Sequence, residues 1–271
     1  MDKESLRKLQ LVQLEMAKEV KRVCDENGIN YFLTAGTALG AIRHKGFIPW
    51  DDDMDIGMLR KDYDRFCQIA NEKLDSRYYF QNWINDKKYH LPYGKIRKKG
   101  TAYIEQKSNL KKNAEIFVDI IVYDDAPCDE EQRKSLIREL NYIERTILMK
   151  CKCRPWQKEW GVHKGLRLTF IPFQIMSWFI SQKVLVNAYE KKVRAVQNDK
   201  LVYSQLGTAS LYLMEKEWLE NVTDCPFEGD FFKVMRDYDS YLTCAYGDYM
   251  QLPPEGEREN QHLIVHLDFG E

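Results

Sequence analysis

The chain has no excess of either charge. Its 41 Lys and Arg nearly balance 42 Asp and Glu, leaving a net charge of −1. A protein that coats nucleic acid normally carries a basic surplus, so no nucleic acid partner is expected, although a local basic pocket for one phosphorylated ligand is compatible with this balance. No apolar segment follows Met1-Asp2-Lys3-Glu4, so no secretory signal is read there. The seven cysteines are odd in number and scattered. Without a secretory signal they are expected to be reduced and mostly structural, in a cytoplasmic protein. Cys151 and Cys153 form a lone C-x-C, which is poor evidence for metal without a second pair. There is also no internal repeat, low-complexity tract or sharp composition break. One domain over 1–271 is expected, with a helical insertion or subdomain at about 129–215.

An uninterrupted membrane-length apolar run is missing too. Leu166 to Val186 is rich in Phe, Ile and Trp, but it carries Arg167, Gln174, Gln182 and Lys183 and is interrupted by Pro172. A span needs about 20 predominantly apolar residues. A buried helix is the plainer reading; an interfacial helix, with its aromatics among lipid headgroups, is the alternative.

What is present suits a folded enzyme. Hydrophobic residues at 44% and charged residues at 31% support a core of ordinary size. Leu6, Leu9, Gln13, Met16, Val20 and Val23 recur at spacings of three and four, predicting a helix over 5–27 that stops at Asn27-Gly28. A short buried strand over 29–33 then leads into the small-residue turn Thr34-Ala35-Gly36-Thr37 and a helix over 37–44. After the loop Lys45 to Asp52, the pattern predicts a strand over 54–58, a helix over 61–70 and an apolar strand over 116–123. Asp129 reads as the N-cap of a helix whose buried stripe is Leu136, Leu140, Ile143 and Ile147, and 174–197 also reads as helical. The fold class expected is therefore α/β (α+β), a mixed sheet core flanked by helices, with a mainly helical second half.

The strongest chemical signal is Trp50-Asp51-Asp52-Asp53-Met54-Asp55-Ile56-Gly57. An isolated acidic run is usually a solvated turn. Here Met54, Ile56 and Met58 alternate with the acids, so a strand would bury the methionines and isoleucine while Asp53 and Asp55 share the opposite face. Two such carboxylates suit a hard divalent cation such as Mg²⁺ or Mn²⁺. Asp119 interrupts Phe117 to Val122; a carboxylate inside an apolar strand needs a cation, a metal or hydrogen bonds. It reads either as a third acid beside the pair or as a salt-bridge partner. Gly36 and Thr37 sit where a strand, a turn and a helix N-terminus would leave free N–H groups for an anion. Arg43, His44 and Lys45 follow, and Lys95 and Arg97 alternate on one strand face; all five are potential phosphate partners, each equally compatible with a solvated surface. Trp50, Trp83 and Tyr93 are the aromatics near the acids.

The run from Ala35 to Met58 resembles the signature of the LicD family over more than twenty consecutive positions. Phe117 to Asp124 is similar to that family's later acidic strand, and Phe227-Glu228-Gly229, Tyr246 to Met250 and Leu252-Pro253-Pro254 to its C-terminal segment. The family includes bacterial phosphocholine transferases acting on cell-surface glycans, and fukutin-related proteins. The resemblance implies a nucleotidyltransferase-type fold. It matches Gly36-Thr37 to the glycine-rich turn, Asp53 and Asp55 to the metal-binding pair and Asp119 to the third acid. Gln261-His262 departs from an expected histidine pair, which leaves His262 a weak substrate-binding candidate.

By resemblance the expected reaction is metal-dependent transfer of phosphocholine, or a similar small-alcohol phosphate, from a CDP-linked donor to a hydroxyl of a cell-surface glycan or teichoic acid precursor. CMP would be released. Arg43, His44, Lys45, Lys95 and Arg97 would neutralise phosphate, and Trp50 and Tyr93 would face the alcohol. A lipid-linked acceptor would give the 166–186 stretch a peripheral membrane role. Two alternatives stay open: nucleotidyl transfer from a nucleoside triphosphate, and a catalytically silent nucleotide- or glycan-binding protein.

Overall fold

The computed structural model describes residues 1–105, 114–153, 168–205, 211–260 and 262–270. Leu166, Arg167 and Gln261 lie outside the described residues.

Helix α1 (Lys3–Glu26) starts at an Asp2 cap that accepts the Ser5 N–H, and ends at Asn27 and the left-handed Gly28. Its apolar stripe is buried as the spacing predicts. Gln13 lies on that stripe at zero exposure. Its side-chain amide donates to the Asp52 carbonyl at 3.0 Å, and the Gln10 amide donates to the Asp51 carbonyl at 2.9 Å. Two polar residues are therefore buried in α1 because they hold the backbone of the acidic loop.

Strand β1 (Phe32–Leu33) is shorter than expected. It is followed by α2 (Ala35–His44), which begins two residues earlier than the sequence suggested, so Gly36 and Thr37 belong to its first turn. Strand β2 (Asp55–Leu59) and α3 (Arg60–Lys73) come next. Strands β3 (Tyr78–Gln81), β4 (Gly94–Lys98) and β5 (Ala102–Glu105) precede the long β6 (Phe117–Asp125). Helix α4 (Glu130–Lys150) starts at the Asp129 cap, whose carboxylate accepts the Gln132 N–H at 2.8 Å.

The main sheet runs β1-β2-β6-β4-β3, extended from β6 by β7 (Leu201–Gln205) and β8 (Leu211–Glu215). Among the described strands of this sheet, only β2 and β6 pair in parallel. That parallel pair is the centre of the molecule, buried by α1 and α3 and lined by Ile56, Met58, Ile120 and Val122. Beyond it come α7 (Lys216–Glu220), the hairpin β9 (Val222–Phe227) and β10 (Asp230–Met235), α8 (Tyr238–Tyr246) and β11 (Ile264–Asp268), which pairs with β5. The β9–β10 turn clasps the loop that carries the acids: Glu228 accepts the Phe47 N–H at 3.1 Å, its own N–H donates to the Lys45 carbonyl, and Arg7 grips its carboxylate in a bidentate pair.

The stretch expected as one helix over 174–197 is two helices, α5 (Ile171–Phe179) and α6 (Gln182–Ala195), separated at Ile180-Ser181. Ser181 caps α6 by accepting the Val184 N–H. A second core of Leu140, Ile147, Leu185, Tyr189 and Val193 joins α4 to α6. The buried-helix reading of 166–186 is corrected for α5. Only Phe173 and Ser177 of that helix are buried, against α4, while its other apolar side chains face outward. Periodicity alone cannot distinguish these cases, since a helix apolar all round reads the same whether it is covered or not. No described helix is long and apolar enough to cross a membrane.

Candidate active site

The site is built on the ends of the two parallel strands. Their register sets Asp55 directly beside Asp119, and the antiparallel register of β4 sets Lys95 on the other flank of Asp119. Neighbouring strands lie about 4.8 Å apart, so these three side chains form one row on one face of the sheet. Lys95 Nζ donates to Asp119 Oδ1 at 2.5 Å, with both side chains buried. The two readings of Asp119 thus hold together: it faces the acidic pair and it carries a salt bridge.

The row opens into a cleft of about 860 Å³. Asp51, Asp53, Asp55 and Asp119 line its floor, with Gly36 and Ala35 at the N-terminus of α2. Trp50, Tyr93, Tyr246 and Tyr249 supply aromatic wall. Arg43 and His262 also reach it. Burial, then the neighbouring Asp53, Asp119 and Asp51, push the Asp55 carboxyl well above the usual carboxylate range. Asp51 is pushed well upward by burial and by Asp53, and Asp53 upward by burial and Asp119 against the pull of His262. Each of these acids is held among like charges with too little cation nearby. The donor set is all carboxylate, which is the chemistry of a hard divalent cation, and such a charge would relieve the repulsion. The residues therefore fit Mg²⁺ or Mn²⁺.

The acidic run divides in a way the sequence did not reveal. One oxygen from each of Asp51, Asp52 and Asp53 lies within 4.8 Å of the others. Asp52, fully buried, is absent from the cleft lining and bonds His262, whose Nδ1 lies 2.9 Å from its Oδ1. Burial opposes charge on that ring, but the Asp52 hydrogen bond and the Asp53 and Asp52 charges outweigh it and push the imidazole up to about 9. Asp51 was not singled out from its neighbour by sequence, yet it enters the cleft. A Cβ on Gly36 would stand 2.8 Å from Asp51 Oδ2. Gly36 is thus needed so that the carboxylate can sit against the helix N-terminus.

Thr37 does not line the cleft. Its hydroxyl accepts the Asp55 N–H at 2.8 Å, so it positions β2 rather than meeting phosphate. Lys45 is an exposed residue in the left-handed conformation that ends α2, away from the acids. His44 accepts from Arg43 Nε and packs edge-on to Trp50; burial and Arg43 lower its affinity for a proton, so it adds no cation. Arg97 shares a face of β4 with Lys95, as the alternation predicts, but its guanidinium is bonded to Gln81 and the Glu115 carbonyl outside the cleft. Arg43 is tied by the Tyr249 carbonyl at 2.8 Å and faces the cleft. Among the basic candidates, the structure brings Arg43 to the cleft and Lys95 to its third acid.

Sequence reasoning assigned no role to Tyr246, Asp248, Tyr249, Gln251 or Glu257, which close the cleft from the C-terminal side. The resemblance of Tyr246 to Met250 and Leu252-Pro253-Pro254 to the family's C-terminal segment marked this stretch without giving these side chains a role.

Residues 28–144 match the profile of the LicD/FKTN/FKRP nucleotidyltransferase domain. The chain is 33% identical over 270 residues to the lipopolysaccharide cholinephosphotransferase LicD of Haemophilus influenzae, covering 97% of this chain and 98% of that protein. It is 44% identical over 62 residues to the human ribitol 5-phosphate transferase FKRP, covering 23% of this chain and 12% of that protein. An uncharacterised protein of Rickettsia typhi matches at 44% over 55 residues, 20% of this chain and 18% of its own length. The full-length match to a LicD protein, with the domain match across the β2–β6 acids, shows that this chain belongs to the LicD family.

Proposed function

We propose that this protein transfers phosphocholine from a CDP-linked donor to a glycan hydroxyl, releasing CMP. The observation that carries the reading is the row formed by Asp55, Asp119 and Lys95, with Asp53 and Asp51 beside it, on the floor of one aromatic-walled cleft. Asp53, Asp55 and Asp119 would hold the divalent cation, which supplies charge neutralisation for the diphosphate and the departing nucleotide phosphate. In the transfer, a glycan oxygen forms a bond to the phosphorus that bears choline. The bond from that phosphorus to the bridging oxygen breaks, CMP takes the electron pair, and the hydroxyl proton passes to a floor carboxylate. Arg43 meets donor phosphate at the cleft wall. Trp50, Tyr93, Tyr246 and Tyr249 offer faces that suit a quaternary ammonium. The named activity of the Haemophilus influenzae relative favours choline. The shorter match to FKRP favours a polyol phosphate as the second reading.

Chromatography of the products separates this from nucleotidyl transfer. CMP released from CDP-choline only when a glycan acceptor and Mg²⁺ are present supports the proposal. Pyrophosphate released from CTP, with CDP-choline inert, would replace it.

A further inference from the structure

Helix α5 displays an apolar face that the described part of the molecule leaves uncovered. Ile171, Ile175, Met176, Trp178 and Phe179 are exposed, Trp178 at 68% and Phe179 at 82%, and Leu168 continues the patch. Helix α5 itself carries no charged residue. The cations come from its neighbours. Lys150 of α4 donates to the Ser177 carbonyl at 2.7 Å, and the Arg145 guanidinium lies 5.7 Å from the ring centres of both Phe170 and Phe173. Lys152 and Lys183 are exposed at the adjoining ends of α4 and α6. Along the chain, positions 145–186 hold eight Lys or Arg against one acid, in a protein whose overall charge is −1. Among the described residues, Arg145, Lys150, Lys152 and Lys183 therefore border the exposed apolar face.

We infer that this face is a docking surface for a lipid bilayer with anionic headgroups. Tryptophan and phenylalanine favour the headgroup boundary, and flanking Lys and Arg are drawn to a negative surface. A second copy of the chain is the poorer occupant. A helix of nine residues is about 13 Å long, too small a strip for the roughly 1,600 Å² of a standard protein interface. The surface would hold the protein against a membrane without insertion, in the layer where a lipid-linked acceptor resides. That last link rests on the transfer reading; the docking itself does not.

Sedimentation with vesicles tests it without any turnover, so its failure is distinct from failure of the transferase reading. Full-length protein is mixed with vesicles of phosphatidylcholine alone or with phosphatidylglycerol added, at low and high salt. The expected result is binding to the anionic vesicles that weakens with salt and falls at least tenfold in Trp178→Glu/Phe179→Glu. Quenching of wild-type tryptophan fluorescence by brominated anionic lipid, independent of any variant, is expected as well. Absence of binding and quenching by the wild type overturns the inference, as does equal binding by a folded variant. A wild-type dimer in solution that the variant converts to monomer, with no vesicle binding, assigns the face to a second copy instead.

Discussion

Asp55 has three constraints at once: a parallel partner in Asp119, a backbone bond from Thr37, and burial among acids. Asp55→Asn is expected to lower turnover on the order of 10³-fold or more, as losing a major electrostatic stabiliser does. Without metal the variant should melt no lower than wild type, because one repelling buried charge is gone; Mn²⁺ is expected to raise the Tm of the wild type and to raise that of the variant far less. Scanning calorimetry with and without Mn²⁺ reads both effects. Thr37 acts one step back. Thr37→Val keeps the shape but strands the buried Asp55 N–H, at a cost of about 1–3 kcal/mol. Metal affinity should weaken with it, and Thr37→Ser should restore both. At this scale the sequence was legible where a carboxylate interrupts apolar alternation, as at Asp55 and Asp119. It was silent on how Asp51 and Asp52 diverge. That division depends on His262, more than 200 positions away, and on the missing Cβ of Gly36.

Elements hold these residues in place by polar contacts that a periodic pattern hides. Gln13 sits on the apolar stripe of α1, yet its amide bonds the Asp52 carbonyl. Gln13→Leu fills similar space and removes that bond. The expected outcome is a nearly unchanged α1 by circular dichroism, with metal affinity and turnover both reduced, on the order of tenfold, as for partners that orient metal ligands. In α4, burial raises the Glu144 carboxyl to about 7, against a Tyr189 hydrogen bond that lowers it. A folded pKa above the unfolded 4.5 gives stability that is fully present below pH 4.5 and is lost as pH rises through 7. Glu144→Gln should therefore flatten the Tm profile between those limits and raise Tm at pH 8, by the equivalent of up to about 3 kcal/mol. The helices α1 and α4 were legible because caps and stripes agreed. Strand β1 was overestimated, since two paired residues leave little pattern. The separation of α5 from α6 was missed because both are rich in apolar residues; the Ser181 cap was the available mark.

The whole molecule makes one cleft from segments far apart in sequence. The β2–β6 pair gives the acids, α2 gives the N-terminal turn, and the run from Tyr246 to Glu257 closes the side. Mixed α/β architecture and the position of the acids were readable from local pattern. The C-terminal wall was not, because which turns cover a site is decided by topology rather than by spacing. On the proposed reading, that wall meets the donor. Tyr246→Leu removes an aromatic face from the cleft, and a cation–π contact is worth about 0.5–2 kcal/mol. The KM for CDP-choline should rise about 2–30-fold, whereas the KM for an uncharged CDP-polyol should change little; steady-state kinetics with both donors checks this.

The most direct measurement is ³¹P NMR of the protein with CDP-choline, Mg²⁺ and a short cell-surface glycan, run beside Asp55→Asn. The account predicts CMP together with a new phosphodiester signal on the glycan, both absent in the variant. Wild-type turnover by Asp55→Asn, or transfer that proceeds unchanged in excess EDTA, would contradict it.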